Sequence, residues 1–310
     1  MEPPKIPKWK AFLFAARIPF LQVTIASVIM GILIALSHTG TVDPILAILT
    51  LLVAILLHLS VNTIHEYYDW KSGTDNINVN ALRPFTGGSG MIQIGALTPK
   101  EELTFGLLML IMGSLLGLYI LLKVMMIELV IIGAIAIVSI VFYTGPPLRL
   151  SHRGLGEFSV FLNFGPLMTL GTYLVLTRRL HVEPILAGMT LGLLVASILI
   201  INEFPDIEAD AAVGKKHLVV RLGLSRARYL YYLSTTLPYV IVIFSIIMNL
   251  MPIYTALTFL AFPLNIKNMR HCHKFYEKPR ELLPANIGTI KHHLLFSILM
   301  IVSYILYIFI

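Results

Sequence analysis

Asn202, Asp206 and Asp210 stand four residues apart in the stretch INEFPDIEADAAVGKKHLVVRLG, directly after an apolar run that ends near Ile201. On an α-helix that spacing stacks the three side chains along one face, successive ones about 6 Å apart in rise. Two carboxylates held so, Asp206 and Asp210, are a seat for a hard divalent cation. Mg2+ takes oxygen ligands, keeps several waters and completes its shell with the phosphate oxygens of a substrate. A solvated helix end can show the same pattern, so the second copy matters. NTIHEYYDWKSGTD also follows an apolar run and offers Asn62, Glu66, Asp69 and Asp75. The first three of these share a helical face, and Gly73 breaks the helix before the last. Two acidic clusters at matching ends of two apolar helices imply one site.

Cations gather in the neighbouring polar stretches. ALRPFTGGSGMIQIGALTP carries Arg83 and the glycines Gly87, Gly88 and Gly90, whose backbone N–H groups could approach an anion; a flexible turn is the commoner role of such a run. YTGPPLRLSHRGLGE brings Tyr143, Arg149, His152 and Arg153, and Lys215 and Lys216 follow the aspartates. These residues offer carboxylates for metal and cations for phosphate. His58 and Glu128 lie in apolar runs, where an ionisable group is a functional candidate, although Glu128 sits near enough to a helix end to reach the interface. His271, Cys272 and His273 are adjacent and point apart, so they do not read as a zinc site.

The elements that position these residues are membrane helices. Hydrophobic residues make up 57% of the 310-residue chain and charged ones 13%, and the mean hydropathy is +0.85, which identifies an integral membrane protein. The single cysteine excludes an intrachain disulfide. The basic, Trp-bearing start reads as an uncleaved interfacial segment. Candidate spans are 20–37, 45–61, 103–122, 125–142, 158–176, 185–201, 229–250, 253–264 and 294–310. The eighth is short for a bilayer and bracketed by Pro252 and Pro263. With nine spans and the N-terminus inside, all of the 23 lysines and arginines except Lys123, Arg178 and Arg179 fall in cytoplasmic segments, as the positive-inside rule requires. The expected fold is thus an all-α membrane protein, a nine-helix bundle forming one domain over 1–310. It has two similar halves, about 1–145 and 146–310, with the active-site loops on the cytoplasmic face, the C-terminus outside and the cell membrane as its location.

Asn62-x-x-x-Glu66-x-x-Asp69 with Gly73-x-Asp75, Asn202-x-x-x-Asp206-x-x-x-Asp210 with Gly214-Lys215, and the Tyr-Thr-Gly-Pro stretch between them closely resemble the UbiA family of intramembrane prenyltransferases. Within it the chain looks most like the branch that prenylates 1,4-dihydroxy-2-naphthoate for menaquinone. The family usually has Asp at position 66, and that branch has Asn before it; here Glu66 follows His65. The resemblance implies transfer of a polyprenyl group from its diphosphate to an aromatic acceptor, with Mg2+ as cofactor. It makes Asn62, Glu66, Asp69, Asp206 and Asp210 the metal-holding positions. Asp69, Asp206, Asp210 and Tyr143 are the catalytic candidates, and Arg17, Asn62, Arg83, Asn202, Lys215 and Arg153 the diphosphate-binding ones. Ionising an allylic C–O bond requires that the departing charge be stabilised, and an apolar bundle beside the site houses the tail and excludes water. No nucleic-acid partner is implied.

Other acceptors stay open within the family: hydroxybenzoate, homogentisate, a glycerol phosphate lipid, haem or chlorophyllide. From another class, a secondary transporter also has two similar halves, but its sites lie near the bilayer midplane, whereas these carboxylates sit at helix ends. A lipid-alcohol phosphotransferase would carry a D-G-x-x-A-R opening that is absent here.

Overall fold

The computed structural model describes residues 6–78, 80–83 and 86–310, and among them it is built of helices alone. The first is the short α1, Lys8–Ala15. Arg17 then takes a left-handed conformation (φ 51°), Ile18–Phe20 makes one 3₁₀ turn, and α2 runs Leu21–Thr39. Asp43 caps α3 (Pro44–Ser72) by accepting the N–H groups of Ile45 and Leu46, and Gly73 (φ 85°) ends it. After the small α4 (Thr74–Ile77) and a loop, Thr98 and Glu101 form a reciprocal capping box that starts α5, Pro99–Val124.

The chain continues through α6 (Ile127–Phe142), a 3₁₀ turn, and α7 (Gly156–Leu162). A π-turn over Asn163–Leu167, containing Pro166, joins α7 to α8 (Met168–Thr177). Then come α9 (Glu183–Ala212), α10 (Leu218–Leu222), α11 (Leu224–Ile247), a 3₁₀ stretch Ile253–Ala261, α12 (Phe262–Phe275) and α13 (Pro279–Phe309). Among the described residues, seven helices or joined helix pairs are long and apolar enough to cross a membrane. Of the other expected spans, 125–142 forms the 16-residue α6, and 253–264 winds as the 3₁₀ stretch. Pro263 does not close that segment: its missing N–H falls in the first turn of α12, where no donor is needed, so the proline opens a helix.

The centre of the bundle is α9, which packs against α2, α7, α8, α11 and α13. Leu191 and Leu194 there meet Met30, Ile34, Phe296, Met300 and Tyr304 in the largest buried cluster. Small residues set the closest approach: a side chain at Gly192 would strike the Phe161 carbonyl, and one at Gly188 would come within 2.7 Å of Pro166 Cα. At the rim, α5 and α6 expose Leu115, Leu122 and Ile131 outward, the surface a bilayer solvates. Two helices outrun their apolar windows. The windows close near Val61 and Ile201, but α3 and α9 continue to Ser72 and Ala212, and these extensions carry the asparagines and carboxylates.

Candidate active site

A buried lysine bridges the C-terminal ends of α3 and α9. Lys215 Nζ lies 3.3 Å from Asp69 Oδ2 and 3.3 Å from Asp210 Oδ1. It reaches this place because α9 ends at Ala212 and Gly214 (φ 77°) turns the chain back, with Lys215 N donating to the Asp210 carbonyl. Burial works against the Lys215 ammonium, but the two carboxylates outweigh it and hold its pKa well above the ordinary lysine value.

Histidines flank both aspartates. His65 Nε2 is 3.2 Å from Asp69 Oδ2, with its Nδ1 2.7 Å from Thr144 Oγ1. His217 Nε2 is 2.9 Å from Asp210 Oδ2, and its other nitrogen lies 3.4 Å from Glu203 Oε2. Behind His217, Glu157 accepts the Leu218 N–H at 2.5 Å. Glu157, Glu203 and His217 were not singled out from sequence. Glu203 carried a signal, since it is seven residues before Asp210 and so shares its helical face, but His217 lies beyond the Gly214 turn, where no periodicity reaches.

The loop from Gly73 to Thr98 folds over the carboxylates. Glu66 Oε1 accepts the N–H groups of Ser89 and Gly90, and Asp206 accepts Asn78 Nδ2 at 2.7 Å and the Gly87 N–H at 3.1 Å. The glycine run therefore does approach anions, and these are the protein's own carboxylates. Gly88 has φ 76°, and a Cβ there would lie 3.0 Å from both Asp75 Oδ2 and Glu66 Oε1, so only glycine lets the backbone pass this close. Arg83 holds the loop from within by donating to the carbonyls of Gly87 (3.1 Å) and Asp75 (3.3 Å). Burial, and then the charges of Asp69 and Glu66, push the Asp75 carboxyl up to about 8.

The remaining expected residues are placed as follows. Asn62 Nδ2 donates to the Ala16 carbonyl at 3.0 Å and so fixes the bend that carries Arg17. Asn202 Oδ1 accepts from Asn286 Nδ2 at 2.8 Å. Tyr143 is buried against the His65 ring (5.2 Å between centroids), and that burial raises its phenol well above the ordinary value. Arg153 is exposed on its 3₁₀ turn and donates to the Pro147 carbonyl at 3.3 Å. Arg17, Asn62, His65, Tyr143 and Asn202 line one mouth of a cavity of about 590 Å³. Its remaining walls are mostly apolar, with Leu57, Gly117, Ile132, Gly133, Gly171 and Val175 among the lining residues.

An apolar cavity between membrane helices, with a polar end that includes Arg17 and touches the carboxylates through His65, agrees with what comparison finds. Residues 24–287 match the UbiA prenyltransferase family. This chain belongs to that family. Its membership makes it a prenyltransferase, and the long apolar helices make it an integral membrane protein. Among relatives, it is 32% identical to a 1,4-dihydroxy-2-naphthoate octaprenyltransferase from Haemophilus influenzae, over 71% of this chain and 72% of that protein. It is 35% identical to an enzyme of the same name from Mycobacterium tuberculosis, over 60% of this chain and 61% of that one, less than two thirds of its length. The fold matches the solved structure of a UbiA homolog from Archaeoglobus fulgidus bound to DMAPP and Mg2+. That match has a TM-score of 0.60 and 14% identity, and covers 93% of this chain and 98% of the other.

Proposed function

We propose that this prenyltransferase carries a polyprenyl group from an allylic diphosphate to 1,4-dihydroxy-2-naphthoate, with Mg2+ as its cofactor. The observation that carries the reading is the set of carboxylates bridged by Lys215 beside an apolar cavity, whose lining residue His65 lies 3.2 Å from Asp69 Oδ2 and whose lining also includes Arg17. The names of the relatives support the acceptor, and the Mg2+ and DMAPP of the Archaeoglobus homolog support the donor and metal. The donor atoms fit a hard cation. Glu66 Oε2 and Asp69 Oδ1 are buried carboxylate oxygens with no hydrogen-bond partner among the described residues, and Mg2+ takes oxygen. In this reading Asn62, Glu66, Asp69, Asp206 and Asp210 hold it. Bound there, it supplies positive charge against the departing diphosphate.

The chain's own groups do the rest. The allylic C–O bond breaks with its electron pair leaving on the diphosphate, and Arg17 and Lys215 meet that charge. Asn202 and Arg153 complete the rim, while Arg83 keeps the glycine loop closed over the carboxylates. Tyr143, kept protonated by burial, offers its O–H at the same end. The apolar walls keep water from the carbocation, a ring carbon of the acceptor forms the new C–C bond, and loss of a proton or of the ring carboxyl restores aromaticity. The site faces the cytoplasm in a nine-span, two-half domain of the cell membrane, supported by the distribution of lysine and arginine.

The test is purified protein with Mg2+, geranylgeranyl diphosphate and a panel of dihydroxynaphthoate, hydroxybenzoate and homogentisate, read by mass spectrometry. Prenylated naphthoate is expected. A product with another acceptor alone would overturn the acceptor, and no product with any of them would overturn the reading.

A further inference from the structure

At the far end of the bundle a second polar cluster has no part in this chemistry. His38 lies in the last turn of α2, His181 in the α8–α9 loop, and Glu183 at the start of α9. Glu183 is separated from Asp210 by 27 residues of one helix, about 40 Å of rise. His38 Nε2 is 2.6 Å from Glu183 Oε2, and His181 Nδ1 is 3.9 Å from the same oxygen. One ligand atom from each of the three residues lies within 4.8 Å of the others.

Each ligand is oriented from behind. His38 Nε2–H donates to Glu183 Oε2 in the metal-free protein, and the Tyr173 hydroxyl, 2.9 Å from His38 Nδ1, can accept the ring proton there when a metal takes Nε2. Tyr304, fully buried, donates to Glu183 Oε1 at 2.6 Å and turns Oε2 toward the histidines. His181 Nδ1 accepts the Glu183 backbone N–H at 3.2 Å, so it is an unprotonated nitrogen, and a metal would replace that contact. His38, His181, Tyr173 and Arg179 border a pocket of about 310 Å³.

We propose that His38, His181 and Glu183 bind a transition-metal ion of the Zn2+ class. Two imidazoles and one carboxylate with an open fourth position match three-ligand zinc sites, and the nitrogen donors select against Mg2+ and Ca2+. With ligands at about 2.0–2.2 Å from the ion, the His38–Glu183 contact has to open by under about 1 Å. Water fills the fourth position, and Arg179 favours its hydroxide form. The bound ion ties α2, the α8–α9 loop, α9 and, through Tyr304, α13 together.

The experiment uses the full-length protein in detergent, stripped with chelator and then dialysed against buffered Zn2+ with Mg2+ in excess to fill the carboxylate end. Metal content and the zinc-induced rise in melting temperature are measured. One zinc per chain is expected in the wild type and none in His181→Ala, whose side chain is 44% exposed. Tyr173→Phe, which keeps the ligands, should weaken zinc by roughly 10–100-fold, the range for losing such a hydrogen-bonded partner. A wild type without zinc, or zinc retained undiminished in both His181→Ala and His38→Ala, overturns the proposal.

Discussion

Replacing Lys215 with methionine separates two things the lysine does at once. Its ammonium stands 3.3 Å from a carboxylate on each of two helices. At an effective dielectric constant of 20, each contact is worth about 5 kcal/mol of gross Coulomb attraction. Desolvation offsets much of this, and breaking a buried ion pair from one side costs about 3–5 kcal/mol. Methionine of similar length therefore leaves Asp69 and Asp210 buried without their cation, and the metal-free protein should melt earlier. Without diphosphate the same change frees two carboxylates that the lysine was competing for. Mg2+ should then bind the variant at least about tenfold more tightly, and its addition should restore most of the lost melting temperature. Turnover moves the other way: losing a preorganised cation at the leaving group should lower kcat by about 10²–10³-fold. The assays are isothermal titration with Mg2+, a thermal melt with and without it, and prenyl transfer at saturating metal. Unchanged turnover would remove Lys215 from the leaving group. Weaker Mg2+ binding would refute the idea that these carboxylates are the metal seat.

Glu66→Gln keeps the oxygen that accepts from the glycine loop but loses the charge of the unpartnered one, so it should need far more Mg2+ for turnover than Glu66→Asp; equal Mg2+ titrations in wild type and Glu66→Gln would exclude Glu66 as a ligand. Asp75 holds its proton up to about pH 8 when folded but only to about pH 3.9 when unfolded, so its contribution to stability falls as pH rises between those values and is constant above. Metal arriving beside it must displace that proton, so Mg2+ affinity should climb as pH rises through about 8, and Asp75→Asn should flatten the curve in a titration series. Gly133→Leu projects into open cavity space, since a Cβ there meets nothing within 4 Å. Transfer from geranyl diphosphate should survive, while donors with long tails drop roughly tenfold or more, the effect of 1–3 kcal/mol of overpacking. Reporter fusions after Asn202 and after Ile310 should fall on opposite sides of the membrane; a same-side result would mean that 253–264 does not cross.

What could be read from sequence was whatever repeats with a helical period. The asparagine and carboxylate triplets, the apolar windows and the breaker at Gly73 all belong to single helices, where spacing alone places side chains. The α3 and α9 ends converge with those residues inward. The eighth segment is ambiguous in sequence because a proline after an apolar run marks a helix start as well as a helix stop. Contacts made by returning loops were not legible. Nothing in GGSG says that its N–H groups serve Glu66 and Asp206, because that depends on how the chain comes back after Gly73. Lys215 was singled out for phosphate, but its position between Asp69 and Asp210 follows from the turn at Gly214, and His217 follows from the same turn.

The shortness of α6 has a mechanical consequence for the membrane around the protein. Sixteen residues rise about 24 Å, against a hydrocarbon layer of about 30 Å, while its neighbours α3 and α5 have 29 and 26 residues. The lipid leaflets must dip where they meet this helix, at a cost of fractions of a kcal/mol for each ångström. The same helix forms a wall of the cavity through Ile132 and Gly133. Under the proposed function this is the stretch of perimeter that borders the tail, and stiff, thick lipid mixtures should resist that dip more than thin, fluid ones.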